Sequence, residues 1–317
     1  MHNKKNVVII SGGNGSAISI NACKTFLHDI NLSAVIPMSD SGGSTGRLRR
    51  EFDVLPVGDI MRAVVAMSKY DAQLLKQIFY RTRFDNVGKL DKHNLGNIFL
   101  VLAQQYDGDF LHSLTALHQA VAAVGTVHPV SLDISDLAVE YTNGETVVGE
   151  HKIDRPEKRD TRIARAWLEP KPPLYGEAKR ATEEADVIIF GPGSLYCSII
   201  PSLLVGDMQE ILRTSKAKFI YVVGNAYELN GEAGPGKLSE FISELENYLP
   251  RKLDAVVYNN HKLSSEEEKR YEEKKWGYIE SDQENVTDRL IISDDFERQC
   301  RLDPEKLGNI LEKIIKS

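Results

Sequence analysis

Val7-Val8-Ile9-Ile10-Ser11-Gly12-Gly13-Asn14-Gly15-Ser16 decides the fold class. Four successive apolar residues suit a strand covered on both faces. The strand stops in glycines and an asparagine, and helical sequence follows over about residues 17–27. Strand, glycine turn, helix is the opening of a parallel α/β sheet. The same rhythm recurs outward from it. Residues 34–38 read as a second strand with an irregular end at Pro37. It runs into Asp40-Ser41-Gly42-Gly43-Ser44-Thr45-Gly46-Arg47. Three more apolar runs follow later: 187–190 enters Gly191-Pro192-Gly193-Ser194, 219–223 enters Gly224-Asn225, and 255–258 enters Asn259-Asn260.

Between these strands, residues 59–121 read as helical in several pieces, with Asp71, Asn94 and Asp109 as caps. Residues 137–142 and 146–150 flank Asn143-Gly144, the strongest short hairpin signal. Residues of about 126–155 are therefore expected to form a small antiparallel β insertion. The charged stretch 154–165 reads as a surface connection. Helices are expected at 178–185, at 266–275 with a charged surface, and at 304–315. The last carries Leu307, Ile310, Leu311 and Ile314 on one stripe. These elements are expected to form a single α/β domain over 1–317.

Composition narrows the partners. Hydrophobic content of 42% and charged content of 27% are ordinary for a globular chain with a core. A formal net charge of -7 argues against nucleic acid, which needs a basic surface. No apolar run approaches the ~18 residues of a membrane span. The three cysteines, Cys23, Cys197 and Cys300, form no CxxC pair. A soluble protein of the reducing cytoplasm is the expectation.

Chemistry is expected at the carboxyl ends of the strands, where α/β sheets bind ligands. Glycine lets backbone N–H groups approach an anion, and a helix start adds further donors. Gly12, Gly13, Asn14 and Gly15 read either as a phosphate turn or as a tight βα turn. The dinucleotide fingerprint is incomplete, because Ile18 stands where its last glycine would fall. No Gly-Lys-Ser/Thr follows, so the loop is not a Walker A motif. In the second loop, Ser41, Gly42, Gly43, Ser44 and Gly46 suit phosphate oxygens, and Arg47 suits bidentate pairing. Asp40 suits a ribose hydroxyl or a Mg²⁺ ion. Asp59 reads as a helix cap or as a catalytic or metal-binding carboxylate. Asn94 and Asn97 can hydrogen-bond a base or substrate, although Asn94 also suits a plain cap. Gly191, Gly193 and Ser194 form a third candidate turn. No Ser-His-Asp order and no His/Glu pair at metal spacing supports nucleophilic hydrolysis.

Taken together, Asp40–Phe52, Leu55–Ile60, His93–Asn97 and the run Gly191-Pro-Gly-Ser-Leu-Tyr-Cys-Ser-Ile-Ile-Pro-Ser-Leu-Leu-Val205 resemble the YvcK family of gluconeogenesis factors. That family lies within the superfamily of 2-phospho-L-lactate transferase, CofD. The resemblance runs from the first strand to residues 301–307. It implies a Rossmann-like, doubly wound, mostly parallel sheet with a helical insertion and a β-hairpin insertion. For the YvcK branch it implies binding of a nucleotide sugar such as UDP-N-acetylglucosamine, and a role in central carbon use and in cell-envelope or shape control. For the transferase branch it implies Mg²⁺-assisted transfer from a nucleotide-diphosphate-linked donor, with Asp40 and Asp59 as the candidate carboxylates. It also points to Tyr196, Asn225, Tyr271 and Arg301 as ligand residues. A homodimer is compatible with it. The family's two adjacent acids before Gly-Gly are Asp40-Ser41 here, which favours binding over catalysis. An NAD-binding protein, with Asp40 on a ribose, is a further alternative.

Overall fold

A computed structural model describes residues 4–316 except 71, 108 and 156–160, so the expected cap Asp71 lies outside the described residues. The strands, in chain order, are β1 (Lys5–Ile10), β2 (Ile30–Ile36), β3 (Thr126–Pro129), β4 (Asp136–Tyr141), β5 (Thr146–Val148), β6 (Ile163–Glu169), β7 (Val187–Phe190), β8 (Lys218–Val223), β9 (Ala226–Glu228), β10 (Ala255–Asn259), β11 (Trp276–Tyr278) and β12 (Leu290–Asp294).

Seven of them form one sheet in the order β12-β10-β8-β7-β1-β2-β3. The pairings are parallel throughout. The chain builds outward from β1 to β3, then returns and builds the other way from β7. The direction therefore reverses between β1 and β7, which lie side by side with Ile10 opposite Phe190. This is the switch point at which an open α/β sheet leaves a crevice. Val7 to Ile10 and Val187 to Phe190 are all buried, as continuous apolar runs require when helices cover both faces.

Two boundaries differ from the reading of the sequence in a way that bears on the site. The first helix, α1 (Gly13–Lys24), begins at Gly13 rather than near residue 17. Gly12 is its extended N-cap residue, so Gly13 and Gly15 lie in the first turn. Likewise α2 (Gly43–Phe52) takes Gly43 and Gly46 into its first turn. Both glycine loops are thus shorter than their composition suggests, and both strands hand over almost directly to a helix. Then follows α3 (Gly58–Ala66), whose first turn carries Asp59.

The β insertion is real but differently bounded. Residues Thr126–Pro129 pair with β2 as the edge of the main sheet rather than opening the insertion. The insertion is a three-stranded antiparallel sheet, β5-β4-β6. Its third strand, Ile163–Glu169, occupies sequence that reads in part as a charged connection. The charge misleads because Arg165 faces outward and pairs with Glu140 on β4, Nη2 to Oε2 at 2.6 Å. The Asn143-Gly144 turn does join β4 and β5, with Gly144 at φ +86°. A short helix, Glu150–Asp154, leaves β5 and returns to the main sheet's carboxyl edge. No single helix among the described residues is long and apolar enough to cross a membrane.

Candidate functional site

At the switch point the loops after β1 and β7 are stapled together. The Ser11 hydroxyl donates to the Pro192 carbonyl at 2.7 Å, and the Ser19 hydroxyl to the Gly191 carbonyl at 2.7 Å. Gly15 packs so closely on this second loop that a Cβ would lie 1.8 Å from the Pro192 carbonyl oxygen. Gly15 is thus glycine for helix-to-loop packing. Gly46 repeats the pattern, with a Cβ falling 1.9 Å from the Ser41 carbonyl oxygen. Gly13, Asn14 and Gly193 remain on the crevice side, with Asn14 exposed, whereas Gly12 is buried. A Cβ on Gly12 would meet Asp59 Oδ2 at 2.6 Å and Ser198 Cβ at 3.3 Å. One on Gly13 would lie 3.6 Å from an Arg62 guanidinium nitrogen and 4.0 Å from Ser198 Oγ. Ser198 therefore faces the crevice, shortly after the β7 turn. Nothing in its spacing marks it, because the alignment follows from a π-helical turn at Leu195–Ile199.

One wall of the crevice is basic. Arg62 pairs with Asp59 at 3.1 Å and stacks over the Tyr80 ring at 4.4 Å, and its buried Nε has no partner. Lys76 lies in the same field. Its ammonium is held below the ordinary value by burial and by the neighbouring charges of Arg81, Arg301 and Arg62. Arg301, from the far end of the chain, is thereby brought beside the helical region. Arg62 lies beside the start of α1, and the charges of Lys76, Arg81 and Arg301 behind it make a local positive potential on a chain of net negative charge.

The opposite wall is acidic. The Gly42 N–H donates to Asp40 Oδ1 at 2.8 Å, and the Ser41 N–H to Glu150 Oε2 at 3.2 Å. The His151 N–H donates in turn to Ser41 Oγ at 3.0 Å, which docks the helix Glu150–Asp154 onto the second loop. Burial, then the charge of Asp40, pushes the Glu150 carboxyl up to about 8, with Asp154 and Asp59 adding to the effect. Burial likewise pushes Asp59 up to about 6, against the pull of Arg62 and with the push of Asp40 and Asp154. Carboxylates that raise one another in this way are a fit for a divalent cation, which relieves the repulsion. Glu150, Asp154 and Cys197 also present ligand atoms within 4.8 Å of one another. Burial, with the nearby carboxylates, holds the Cys197 thiol protonated. Sequence reading missed Glu150 and Asp154, because they arrive from the β insertion and carry no motif of their own.

Other expected residues have partners within the protein. Arg47 donates to the Asp91 carbonyl at 2.6 Å. Ser44 Oγ lies 2.8 Å from His93 Nδ1 and accepts from Asn97 Nδ2 at 3.1 Å. Asn94 accepts from the Asn97 N–H at 2.8 Å, the plain capping role. Around the third turn, Glu232 fills the place expected for a phosphate. It accepts from the Ser194 hydroxyl and from the N–H groups of Leu195 at 2.7 Å, Tyr196 at 2.8 Å and Cys197 at 3.2 Å. The Tyr196 side chain is buried, with its hydroxyl on Glu244 at 2.5 Å. Asn225 and Tyr271 meet near the ends of β8 and β10, the Tyr271 hydroxyl donating to Asn225 Oδ1 at 3.2 Å.

Comparison with known proteins agrees with this architecture. Residues 7–295 match the family model described as 2-phospho-L-lactate transferase CofD. A relative from Thermotoga maritima, a gluconeogenesis factor by name, is 34% identical over 317 residues, covering 97% of this chain and 98% of that one. The gluconeogenesis factor of Halalkalibacterium halodurans is 34% identical over 83% of this chain and 87% of its own length. The crystal structure of a UPF0052 family member from Bacillus halodurans superposes with a TM-score of 0.88 at 30% identity, covering 98% of this chain and 99% of that one. The chain therefore belongs to the CofD family and groups there with the gluconeogenesis factors.

Proposed function

We propose that the chain is a cytoplasmic regulatory protein that binds a nucleoside-diphosphate sugar of the UDP-N-acetylglucosamine kind in the β1/β7 crevice, and that this binding links central carbon metabolism to envelope or shape control. The observation that carries the reading is the two-sided crevice. Arg62 beside the start of α1, backed by Lys76, suits a diphosphate, and the carboxylates next to it suit sugar hydroxyls or a metal-bridged phosphate. Gly13 keeps the backbone open there, and Ser198 adds a hydroxyl.

A second reading has its own support. The resemblance alone leaves one acid in the Asp40 loop, which speaks against metal-assisted transfer. The fold supplies Glu150 and Asp59 beside Asp40, with Asp154 close by. Asp40, Asp59 and Glu150 would hold Mg²⁺ in a transferase of the 2-phospho-L-lactate type, where the ion would neutralise charge on a leaving phosphate. Calorimetric titration with UDP-N-acetylglucosamine, GDP, GMP and NAD, each with and without Mg²⁺, separates the readings. UDP-sugar binding that survives chelation supports the first. Binding confined to guanine nucleotides with Mg²⁺ replaces it with the second, and NAD binding alone removes both.

A further inference from the structure

We propose that His261, Glu267 and Glu297 form a binding site for one divalent transition-metal cation of the Zn²⁺ class, at the carboxyl ends of β10 and β12. It is a different place from the β1/β7 crevice, with β8 standing between β10 and β7 in the sheet.

The first observation is the setting of the imidazole. His261 Nδ1 lies 3.1 Å from Asp295 Oδ2, and Nε2 lies 3.2 Å from Glu267 Oε2. A carboxylate on Nδ1 fixes that nitrogen as the N–H and turns the Nε2 lone pair outward, the usual arrangement behind a metal-bound histidine. The outward lone pair then points at a second carboxylate. Only a proton or a metal ion can sit between them.

The second observation is Glu297. The residue is buried, only 3% exposed. Oε2 is satisfied by Asn225 Nδ2 at 2.6 Å and Asn259 Nδ2 at 3.0 Å. Oε1 is buried and has no hydrogen-bond partner among the described residues. An orphaned buried carboxylate oxygen is costly, and an ion-paired histidine next door does not account for it. The ligand atoms of His261, Glu267 and Glu297 all lie within 4.8 Å of one another. A cation among them discharges the orphan oxygen and the facing lone pairs together.

Charge agrees. Lys306 balances Asp295, its Nζ 3.5 Å from Asp295 Oδ1 and 2.9 Å from the Glu297 carbonyl oxygen, which leaves the Glu267 and Glu297 carboxylates. With neutral His261, a divalent ion brings this set to neutrality. One imidazole with two carboxylates selects a borderline cation over Mg²⁺, which prefers an all-oxygen shell. The supports are in place too. Glu267 Oε2 is held by the Ser264 N–H at 2.9 Å and hydroxyl at 2.9 Å.

The test uses the full chain, stripped with chelator and titrated with Zn²⁺ in a calorimeter, with metal counted by mass spectrometry after gel filtration. One equivalent that depends on His261 is expected, over any metal taken by the crevice carboxylates. Affinity should fall more than tenfold in both His261→Gln and Glu297→Gln, and about tenfold in Asp295→Asn, which only orients the ring. Cys197→Ser should retain the His261-dependent equivalent, since that thiol belongs to the crevice cluster. Circular dichroism melts check that each variant is folded, and Glu297→Gln keeps an oxygen for the asparagine contacts. The proposal is overturned if the wild-type chain takes up no Zn²⁺. It is equally overturned if folded His261→Gln and Glu297→Gln bind as tightly as wild type, or if uptake disappears with Cys197→Ser alone.

Discussion

Single residues carry the two sides of the crevice, and they respond to different measurements. Arg62 is bonded to Asp59 and has a buried Nε without a partner, so it is the cation best placed to gain from an arriving phosphate. A charge-assisted hydrogen bond is worth about 1.5–3 kcal/mol. Arg62→Ala should therefore weaken nucleotide-sugar binding by roughly ten- to a hundredfold in a calorimetric titration. Unchanged affinity would remove the basic wall from the site. Glu150 reports on the other wall. Its folded-state value of about 8 lies above its ordinary 4.5. Below about pH 4.5 it is protonated in both folded and unfolded chains and costs nothing. As pH rises from there toward 8, the unfolded chain ionises first, so the folded state loses stability. Glu150→Gln should melt with wild type at about pH 4.5 but be the more stable at about pH 8, by no more than about 5 kcal/mol, since each pH unit between the two values contributes about 1.4 kcal/mol at most. Parallel pH dependence in the two proteins would show that the carboxylate is not crowded.

At the scale of elements, β1, β2, β7, β8 and β10 are legible in the sequence because each carries an unbroken apolar run and most stop in glycine or asparagine, whereas the edge strand β3, Thr126–Pro129, has no such run and reads as part of the insertion. The edge strand β12 and the insertion strand β6 are not legible either. In β6 exposed, charged side chains interrupt the buried ones and read like a loop, and in β12 the apolar run is only Leu290-Ile291-Ile292, none of it fully buried. The glycine loops are legible as places but not as roles. Gly13 opens onto the crevice, Gly12 makes room for the Asp59 carboxylate, and Gly15 and Gly46 are needed for packing against a carbonyl. A contrast of two substitutions tests this. Gly15→Ala forces a methyl into the Pro192 carbonyl and should cost about 2–3 kcal/mol, read as a clear drop in melting temperature. Gly43→Ala meets nothing within 4 Å and suffers only from its left-handed φ of +45°, about 1 kcal/mol. Equal costs at the two positions would mean that backbone conformation, not packing, selects glycine at Gly15. Glu232 shows the same limit on the acidic side. The turn at Gly191 has the composition of an anion nest, yet the anion is a carboxylate from a loop much further along the chain, which no local spacing reveals.

For the whole molecule, the crevice joins two halves of the sheet that the chain builds in opposite directions. The β1–β3 half supplies the start of α1, Asp40 and Asp59. The other half supplies Ser198, and Glu150 and Arg301 arrive from an insertion and from the C-terminal region. A ligand held by all of them binds the folded chain and has no counterpart in the unfolded one. Mass action then requires stabilisation of about 2.7 kcal/mol at about a hundred times the dissociation constant. For a chain of this size that corresponds to a rise of roughly 5 °C in melting temperature. The rise should appear with UDP-N-acetylglucosamine, grow with the logarithm of ligand concentration, and shrink when Arg62 or Arg301 is replaced by alanine. A shift lost in Arg62→Ala but intact in Arg301→Ala would confine the ligand to the β1–β3 half. The Arg301 field that reaches Lys76 would then be a structural contact of the C-terminal segment and not part of the binding wall.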